Sequence, residues 1–225
     1  MRDTIVRRLA VIIIALPAFI LGVAPQRAAA EQCYTFPQTG KSACGRFLDY
    51  WIANGGLERQ GYPISDAFQE VNPSDGQRYL TQYFERARFE YHPENAAPYD
   101  VLLGLLGAEQ FRARYPGTYP GNTPGAQLTG PGAICKPEPG YCIYPEFYRY
   151  WAEHGGLGQF GLALSFPFFE TNPIDGKQYP TVYFERARFE LHTQTVGPPY
   201  GVYVQLGLLG VEQYRARYPY GFEGP

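Results

Sequence analysis

The strongest constraint on the fold is that the sequence repeats itself. The octapeptide Tyr-Phe-Glu-Arg-Ala-Arg-Phe-Glu occurs at 83–90 and again, unchanged, at 183–190. With an offset of 100 residues, 25 of the 46 positions from 47 to 92 are identical in the two copies. After three additional residues in the second copy, the match resumes at Leu103 and Leu206. The chain is therefore a tandem repeat of a unit of about 75 residues, and the fold has to use the same pattern twice.

Residues 1–30 have the order of a secretory signal peptide. Three arginines precede an apolar run from 9 to 24, and the triplet Ala28-Ala29-Ala30 supplies small residues for cleavage before Glu31. The run is shorter than the ~20 residues that a membrane-spanning helix needs. We predict that the segment is a signal peptide and that the protein is extracellular or in the cell envelope. An uncleaved anchor is the alternative.

The charge of the remaining chain argues against two classes of partner. Cleavage would remove four arginines and one aspartate, which leaves a net charge of about -5. A basic surface for nucleic acid or for anionic lipid is therefore not expected, and contact with the membrane would be limited to the signal segment before cleavage. The 20 tyrosines, 15 phenylalanines, 26 glycines and 21 prolines favour short strands and tight turns.

The four cysteines predict disulfides, because an exported chain meets an oxidising environment. One pair precedes each copy of the repeat, so we favour the local pairing of Cys33 with Cys44 and of Cys135 with Cys142 among the three possible connectivities. A zinc site is the rival interpretation. Neither pair has the spacing C-x2-C that is usual in zinc sites, so we predict no metal.

The residue pattern within one repeat predicts helices at both ends of a small sheet. Phe47, Tyr50 and Trp51 share one face of a helix that Gly55 would end. Strands are predicted at 68–71 and 79–85, joined by a turn at Asp75-Gly76, and a second helix at 101–115. Pro145 suits the first turn of the equivalent helix in the second copy. The predicted fold class is α+β, with two tandem repeat units that each combine a small antiparallel β-sheet, a short N-terminal helix and a C-terminal helix.

These patterns divide the chain into four parts. Residues 1–30 are the signal peptide, 31–116 the first repeat unit, 117–133 a linker and 134–225 the second repeat unit. The linker is rich in proline and glycine, and such a composition predicts an exposed connection. We therefore expect the two units to move relative to each other.

The motifs of each unit resemble the LGFP repeat. The resemblance rests on Gly45-Arg46-Phe47, Tyr50-Trp51, Gly55-Gly56-Leu57, Gly61-Tyr62-Pro63-Ile64-Ser65, Asp75-Gly76 and the stretch from Phe84 to Pro93. It covers about half of the mature chain. LGFP repeats occur in exported bacterial proteins, often beside hydrolase domains, and are thought to tether them to the cell wall. The resemblance therefore implies attachment to the cell wall.

Several positions depart from the LGFP pattern. Gln60 and Phe160 stand where the family has leucine, and Arg86-Ala87 stands where it has two glycines. The second copy has 162–164 in place of the G-F-P turn. The helix predicted after Val101 has no counterpart in the shorter family repeat, so the chain is interpreted as a relative or an analogue.

Strand alternation through the octapeptide predicts two faces. Tyr83, Glu85, Ala87 and Phe89 would face the core, and the residues between them would face outward. The outward set forms a polar and aromatic patch suited to a cell-wall glycan or to peptidoglycan carboxylates. The predicted ligand-binding residues are Phe84, Arg86, Arg88, Glu90, Phe184, Arg186, Arg188 and Glu190. The alternative is that the arginine stems only cover the sheet.

No catalytic motif is recognisable, and no cysteine remains as a nucleophile once both pairs are oxidised. Glu85 and Glu90 would point to opposite faces of one strand, which does not suit a paired acid and base. We predict a hydrogen-bonding role at a strand end for His92 and its copy His192. The chain is therefore predicted to be a non-enzymatic module without a cofactor. A structural or protein-interaction module and a cell-wall hydrolase are the alternatives.

Overall fold

The fold combines antiparallel sheets with short helices, as the predicted α+β class requires. The computed structural model describes residues 31–117, 133–135, 142–194 and 201–221. The predicted signal peptide and all but the ends of the predicted linker lie outside these ranges. Within them, no helix is long and apolar enough to cross a membrane.

The helices and strands follow in the same order in the two halves. In the first half they are β1 (Cys33–Phe36), β2 (Lys41–Cys44), α1 (Gly45–Ala53), α2 (Gly56–Arg59), β3 (Phe68–Val71), β4 (Arg78–Tyr83), β5 (Arg88–Tyr91), β6 (Val101–Leu103) and α3 (Leu106–Arg114). In the second half they are β7 (Ile134–Cys135), β8 (Cys142–Ile143), α4 (Pro145–Glu153), α5 (Gly156–Phe160), β9 (Phe168–Thr171), β10 (Gln178–Tyr183), β11 (Arg188–Gln194), β12 (Gly201–Leu206) and α6 (Leu209–Arg217).

Each half contains one four-stranded antiparallel sheet. The strand order is β3-β4-β5-β6 in the first sheet and β9-β10-β11-β12 in the second. The predicted hairpin at Asp75-Gly76 is confirmed, because Gly76 has φ 74° and β3 pairs with β4 on either side of it. The two outer strands of each sheet are edge strands. Each therefore has one side on which the backbone N–H and C=O groups are not paired within the sheet.

The two predicted N-terminal helices are confirmed. Helix α1 buries Phe47, and Pro145 occupies the first turn of α4. Gly55 has φ 89°, the left-handed conformation that a glycine adopts readily after a helix end. The Trp51 indole N–H donates to the Gly61 carbonyl at 2.8 Å, which ties α1 to the loop before β3.

The prediction for the repeated octapeptide is wrong in one respect, because its centre is a turn. Strand β4 ends at Tyr83 and β5 begins at Arg88, and the Phe84 N–H donates to the Ala87 carbonyl at 2.8 Å. Alternation is lost across such a turn, so Phe84 faces the same core as Phe89, with the two ring centroids 4.1 Å apart. The division into a core face and an outward face does not hold.

The helix predicted at 101–115 is correct only in its second half. Residues 101–103 form the edge strand β6, which pairs with β5 so that Leu103 lies opposite Phe89. The helix starts at Leu106. The sequence pattern of apolar residues is compatible with both structures, and pairing with β5 decides between them.

The C-terminal helices are exchanged between the two sheets. Helix α3 reaches the second half, where the Ala108 N–H donates to the Glu185 carbonyl at 3.0 Å. Helix α6 makes the equivalent bond in the first half, from Val211 to the Glu85 carbonyl at 3.2 Å. Each helix thus binds the octapeptide turn of the other repeat.

Aromatic packing and a buried carboxylate hold each exchanged helix against the sheet of the other repeat. Tyr214 of α6 packs on Tyr83, with ring centroids 5.2 Å apart. The neighbouring Tyr218 hydroxyl donates to Glu70 of β3 at 2.5 Å, and Arg217 pairs with the same carboxylate at 3.1 Å. The corresponding contacts in the other half join Phe111 to Tyr183, and Tyr115 and Arg114 to Glu170.

This exchange ties the two repeats together. Residues 31–225 form one compact unit, and Gln60 and Gln159 bond to each other through their side-chain amides at 3.1 Å. Relative motion of the two units, as expected from the sequence, would break these contacts. The described parts of the repeats are therefore held as one body.

The predicted disulfide between Cys33 and Cys44 is confirmed. It joins β1 to β2, in which the two residues are direct partners. In the second half, Cys142 is also disulfide-bonded, and its backbone lies opposite that of Cys135 in the β7–β8 pair. The side chain of Cys135 lies outside the described part of the structure.

Alkaline pH is expected to destabilise the protein through Tyr83. Burial raises the pKa of this phenol to about 12, whereas a tyrosine in an unfolded chain titrates near pH ~10. Because the folded state holds the proton more tightly, the stabilising contribution is complete below about pH 10 and is lost as the pH rises towards about 12. We expect urea denaturation to show a falling free energy of unfolding over this range, and a smaller fall in Tyr83→Phe. An equal fall in both proteins would contradict the assignment to Tyr83.

Candidate functional site

The residues predicted to form an exposed patch are mostly buried. Phe84 and Phe184 belong to the two main hydrophobic cores. Arg88 and Arg188 have no exposed side-chain surface, and Glu90 is also buried. The predicted outward patch is therefore absent, because the turn in the octapeptide directs these side chains inward.

A buried ion network accounts for most of these residues. The Arg88 guanidinium binds Glu90 at 2.7 Å and Glu109 of α3 at 2.9 Å. Burial alone would lower the pKa of Arg88, but the hydrogen bond and charge of Glu109 and the charge of Glu90 outweigh it and raise the pKa. Arg188 makes the equivalent pairs with Glu190 and Glu212. The network anchors the start of each exchanged helix to the sheet of its own repeat.

Two of the predicted residues, Glu90 and Arg186, line a cleft where the two repeats meet. This inter-repeat cleft has a volume of about 450 Å³. Such a volume is within the range of small-molecule sites. The lining consists of Tyr50, Asn54, Arg59, Asn72, Ser74, Asp75, Glu90, His92, Pro98, Tyr99, 101–105, Gly155, Gly158, Gln159 and Arg186.

The hairpin between β3 and β4 forms the first wall of the cleft. The Asn72 amide donates to Glu90 at 2.7 Å, and the Tyr79 hydroxyl donates to Asp75 at 2.9 Å. The backbone N–H of Gln77 and the Tyr79 hydroxyl lower the pKa of Asp75, so its exposed carboxylate is charged at neutral pH. His92 packs against the Tyr79 ring, with centroids 4.0 Å apart and the ring planes tilted by 35°. This wall presents acceptors for hydroxyl and N–H groups.

The opposite wall comes from the boundary between the repeats and is basic. Arg59 lies at the end of α2, and its Nη1 donates to the His154 carbonyl at 3.1 Å. Arg186 comes from the octapeptide turn of the second repeat and donates to the Leu157 carbonyl at 3.3 Å. Gln159 of α5 lies beside them. Charges of opposite sign thus line the two walls.

Tyr99 gives the cleft an exposed aromatic ring. Its side chain is 71 % exposed, on the loop that leads into β6. An apolar ring beside hydrogen-bonding groups is the combination that suits the alternating apolar and hydroxylated surfaces of a sugar. The cleft therefore combines an exposed aromatic ring with hydrogen-bonding groups.

The second repeat has a smaller counterpart of the cleft. A cavity of about 220 Å³ is lined by the residues equivalent to the first wall, including Asn172, Asp175, Tyr179 and His192. The same hydrogen bonds recur there, from Asn172 to Glu190 at 2.6 Å and from Tyr179 to Asp175 at 2.6 Å. The hairpin wall is thus a repeated feature.

The described residues contain no group of three histidine, cysteine, aspartate or glutamate side chains arranged for a metal ion. In the cleft, both oxygens of Glu90 are occupied, one by Arg88 at 2.8 Å and the other by Asn72 at 2.7 Å. His92 bonds to Glu94 through Nδ1 at 2.8 Å. These contacts hold the side chains in place.

Most residues of the cleft were not predicted from the sequence. The repeated Asn72-Pro73 and Asp75-Gly76 were interpreted only as turn residues, although their occurrence in both copies was a signal. Tyr99, Arg59 and Gln159 differ between the copies, and no pattern marked them. They come together only because the two repeats pack against each other.

No family model, no curated protein and no solved structure matches this chain. The resemblance to LGFP repeats therefore stays a prediction.

Proposed function

We propose that this protein is an exported, non-enzymatic module that attaches to the cell envelope by binding its glycan or peptidoglycan. In this proposal each structural unit consists of one repeat sheet with its own N-terminal helix and the C-terminal helix of the other repeat. The predicted signal peptide, the disulfide between Cys33 and Cys44 and the resemblance to LGFP repeats all support an extracellular role.

The observation that carries the proposal is the inter-repeat cleft with exposed Tyr99 at its edge. Asn72, Ser74 and Asp75 provide oxygens and nitrogens for hydroxyl groups, and the Tyr99 ring provides a surface for the apolar face of a sugar ring. The smaller cavity of the second repeat offers a related hairpin wall. Two sites on one rigid body would increase retention on a polymer.

The contacts of Glu90 support the non-enzymatic proposal. A general base needs an oxygen or nitrogen that is free to take a proton from the substrate. Both Glu90 oxygens already accept hydrogen bonds from protein groups. A cell-wall hydrolase would need these bonds to be broken, so binding is the function that the geometry supports best.

Changing Tyr99 to alanine is expected to weaken retention on insoluble cell-wall polysaccharide by about fivefold or more, because loss of a stacking ring costs roughly 1 to 3 kcal/mol. Asp75→Asn, which keeps the shape but removes the charge, should have a smaller effect. The measurement is a pull-down of the mature protein with purified wall material. Tyr34→Ala is the matched control, because Tyr34 is 54 % exposed on β1 and does not line the cleft. Equal retention of Tyr99→Ala and the unmodified protein would refute the assignment of the cleft.

A second candidate is a protein-interaction module, favoured by the edge strand β12. This strand has six residues, whereas the equivalent β6 has three, and Val202 and Tyr203 are exposed on it. Such an edge can pair with a strand of a partner chain. If the mature protein is not retained on any wall polysaccharide, this function takes the place of the first.

A further inference from the structure

We infer that the inter-repeat cleft takes an anionic, hydroxyl-rich fragment of the cell wall, whose carboxylate or phosphate group binds between Arg59 and Arg186. This inference rests on the proposed glycan-binding function and adds the chemical class of the ligand. It follows from the charge of the basic wall, from the contacts that the carboxylates of the cleft already make and from one difference between the repeats.

Arg59 carries a positive charge without a carboxylate partner. Its hydrogen bond is made to a backbone carbonyl, that of His154. The Nε atom is buried and has no hydrogen-bond partner, and no ion pair within 4.0 Å joins Arg59 to any described carboxylate. A partly buried guanidinium without an opposite charge is a ready site for an anion.

Arg186 also lacks a close carboxylate partner. Its bond at 3.3 Å is to the Leu157 carbonyl, and the nearest acidic oxygen, on Glu185, is 3.8 Å away. The side chain keeps 26 % of its surface exposed. Arg186, Arg59 and Tyr50 all line the same cleft. One anionic group can therefore interact with both arginines.

The acidic groups of the cleft do not offset the positive charge of Arg59 and Arg186. Glu90 is buried and pairs with Arg88 at 2.7 Å, a guanidinium that it shares with Glu109. Asp75 lies on the hairpin wall, where it accepts from Tyr79 and from the Gln77 backbone. Unlike Glu90, the Asp75 carboxylate is exposed, and each of its oxygens can accept a second bond from a sugar hydroxyl. A ligand with hydroxyl groups at one end and a negative charge at the other matches both walls.

A single difference between the repeats keeps the basic wall accessible. Gly158 lines the cleft, whereas the equivalent residue of the first repeat is Glu58. A Cβ atom built at Gly158 would meet no atom within 4 Å, so there is open space at this position. A glutamate there would extend a carboxylate into the cleft that contains Arg59 and Arg186. The second repeat thus lacks the acidic side chain that would compete with an anion.

The experiment compares Gly158→Glu with Gly158→Gln in the mature full-length protein. The two side chains have the same size, and both enter open space, so their difference reports on charge alone. The probes are purified disaccharide-peptide fragments of peptidoglycan with free carboxylates, the same fragments after carboxyl amidation, and oligomers of glycerol phosphate. Binding is measured by isothermal titration calorimetry.

We expect at least one of the two anionic probes to bind, and the amidated fragments to bind at least about tenfold more weakly than the free carboxylates if these are the ligand. For the anionic probe that binds, Gly158→Glu should reduce affinity at least about tenfold relative to Gly158→Gln. Arg59→Gln, which installs the residue of the second repeat, should reduce it as well.

The possible failures are distinguishable. Equal binding of the free and amidated fragments, with the same affinity in Gly158→Glu and Gly158→Gln, would overturn the anionic ligand and leave the proposed glycan function intact. The absence of binding to all three probes, together with no retention on wall polysaccharide, would overturn both. Binding of the glycerol phosphate oligomers alone would support the inference and identify phosphate as the anionic group.

Discussion

Replacing Gly210 by alanine is expected to lower the free energy of unfolding by on the order of 3 kcal/mol. Gly210 lies in the first turn of α6, where the exchanged helix touches the octapeptide turn of the first repeat. An added Cβ would overlap the backbone carbonyl oxygen of Phe84 and crowd that of Ala87. Backbone atoms of a hairpin cannot rotate aside as a side chain can, so α6 has to move away from the sheet.

Chemical denaturation monitored by circular dichroism measures this effect, and Gly158→Ala is the matched control. Both positions are in helices, but a Cβ at Gly158 meets open space. Because alanine favours helix over glycine, Gly158→Ala should stabilise the protein by up to about 1 kcal/mol. If Gly210→Ala is as stable as Gly158→Ala, the close contact between α6 and the first repeat does not exist in solution.

Replacing Arg188 by methionine is expected to destabilise the protein by about 3 to 5 kcal/mol. The guanidinium has no exposed surface and binds Glu190 at 2.8 Å and Glu212 at 2.9 Å. Methionine fills a similar volume but leaves Glu190 without a guanidinium partner and Glu212 with only Arg114, at 3.6 Å. The desolvation of these charges is then no longer compensated. Thermal and urea denaturation of the purified variant measure the loss.

Arg86→Met provides the comparison, since Arg86 is partly exposed and its nearest carboxylate, on Glu85, is 3.8 Å away. It should change stability by less than about 1 kcal/mol. Adding Glu190→Gln and Glu212→Gln to Arg188→Met should recover part of the loss, because the orphaned charges are removed. No recovery in the triple variant would show that the loss came from packing and not from charge.

The sequence was sufficient to predict the elements that depend on local pattern. The spacing of Phe47, Tyr50 and Trp51 predicted α1, and Asp75-Gly76 predicted the β3–β4 hairpin, because neighbours in the chain determine these structures. The pairing of Cys33 with Cys44 was predictable for the same reason, since the two residues lie in one hairpin.

The octapeptide shows why the rest was not predictable. Its alternating polar and apolar residues match a strand, but the loop from Gln60 to Ser65 and an exchanged helix together hold its centre as a turn. The Tyr62 carbonyl accepts from Glu85, and the Gln60 carbonyl accepts from Arg86. These bonds join segments far apart in the sequence, and no local pattern encodes them. The burial of Arg88 follows from the same long-range packing.

The cleft was still less predictable from the sequence, because it forms only through long-range packing. Its basic wall combines Arg59 of the first repeat with Arg186 of the second. Sequence comparison of the two copies treats such residues as unrelated, because they occupy different positions of the repeat. The side chains become neighbours only through the packing of one repeat on the other.

The exchange of α3 and α6 also has a consequence for assembly. A chain with a single repeat would carry a sheet without the helix that covers it and a helix without the sheet that it covers. Such a chain completes its fold only by pairing with a second copy, so its stability would depend on protein concentration. Joining both repeats in one polypeptide converts that encounter into an intramolecular one. The stability of the present chain is then independent of dilution.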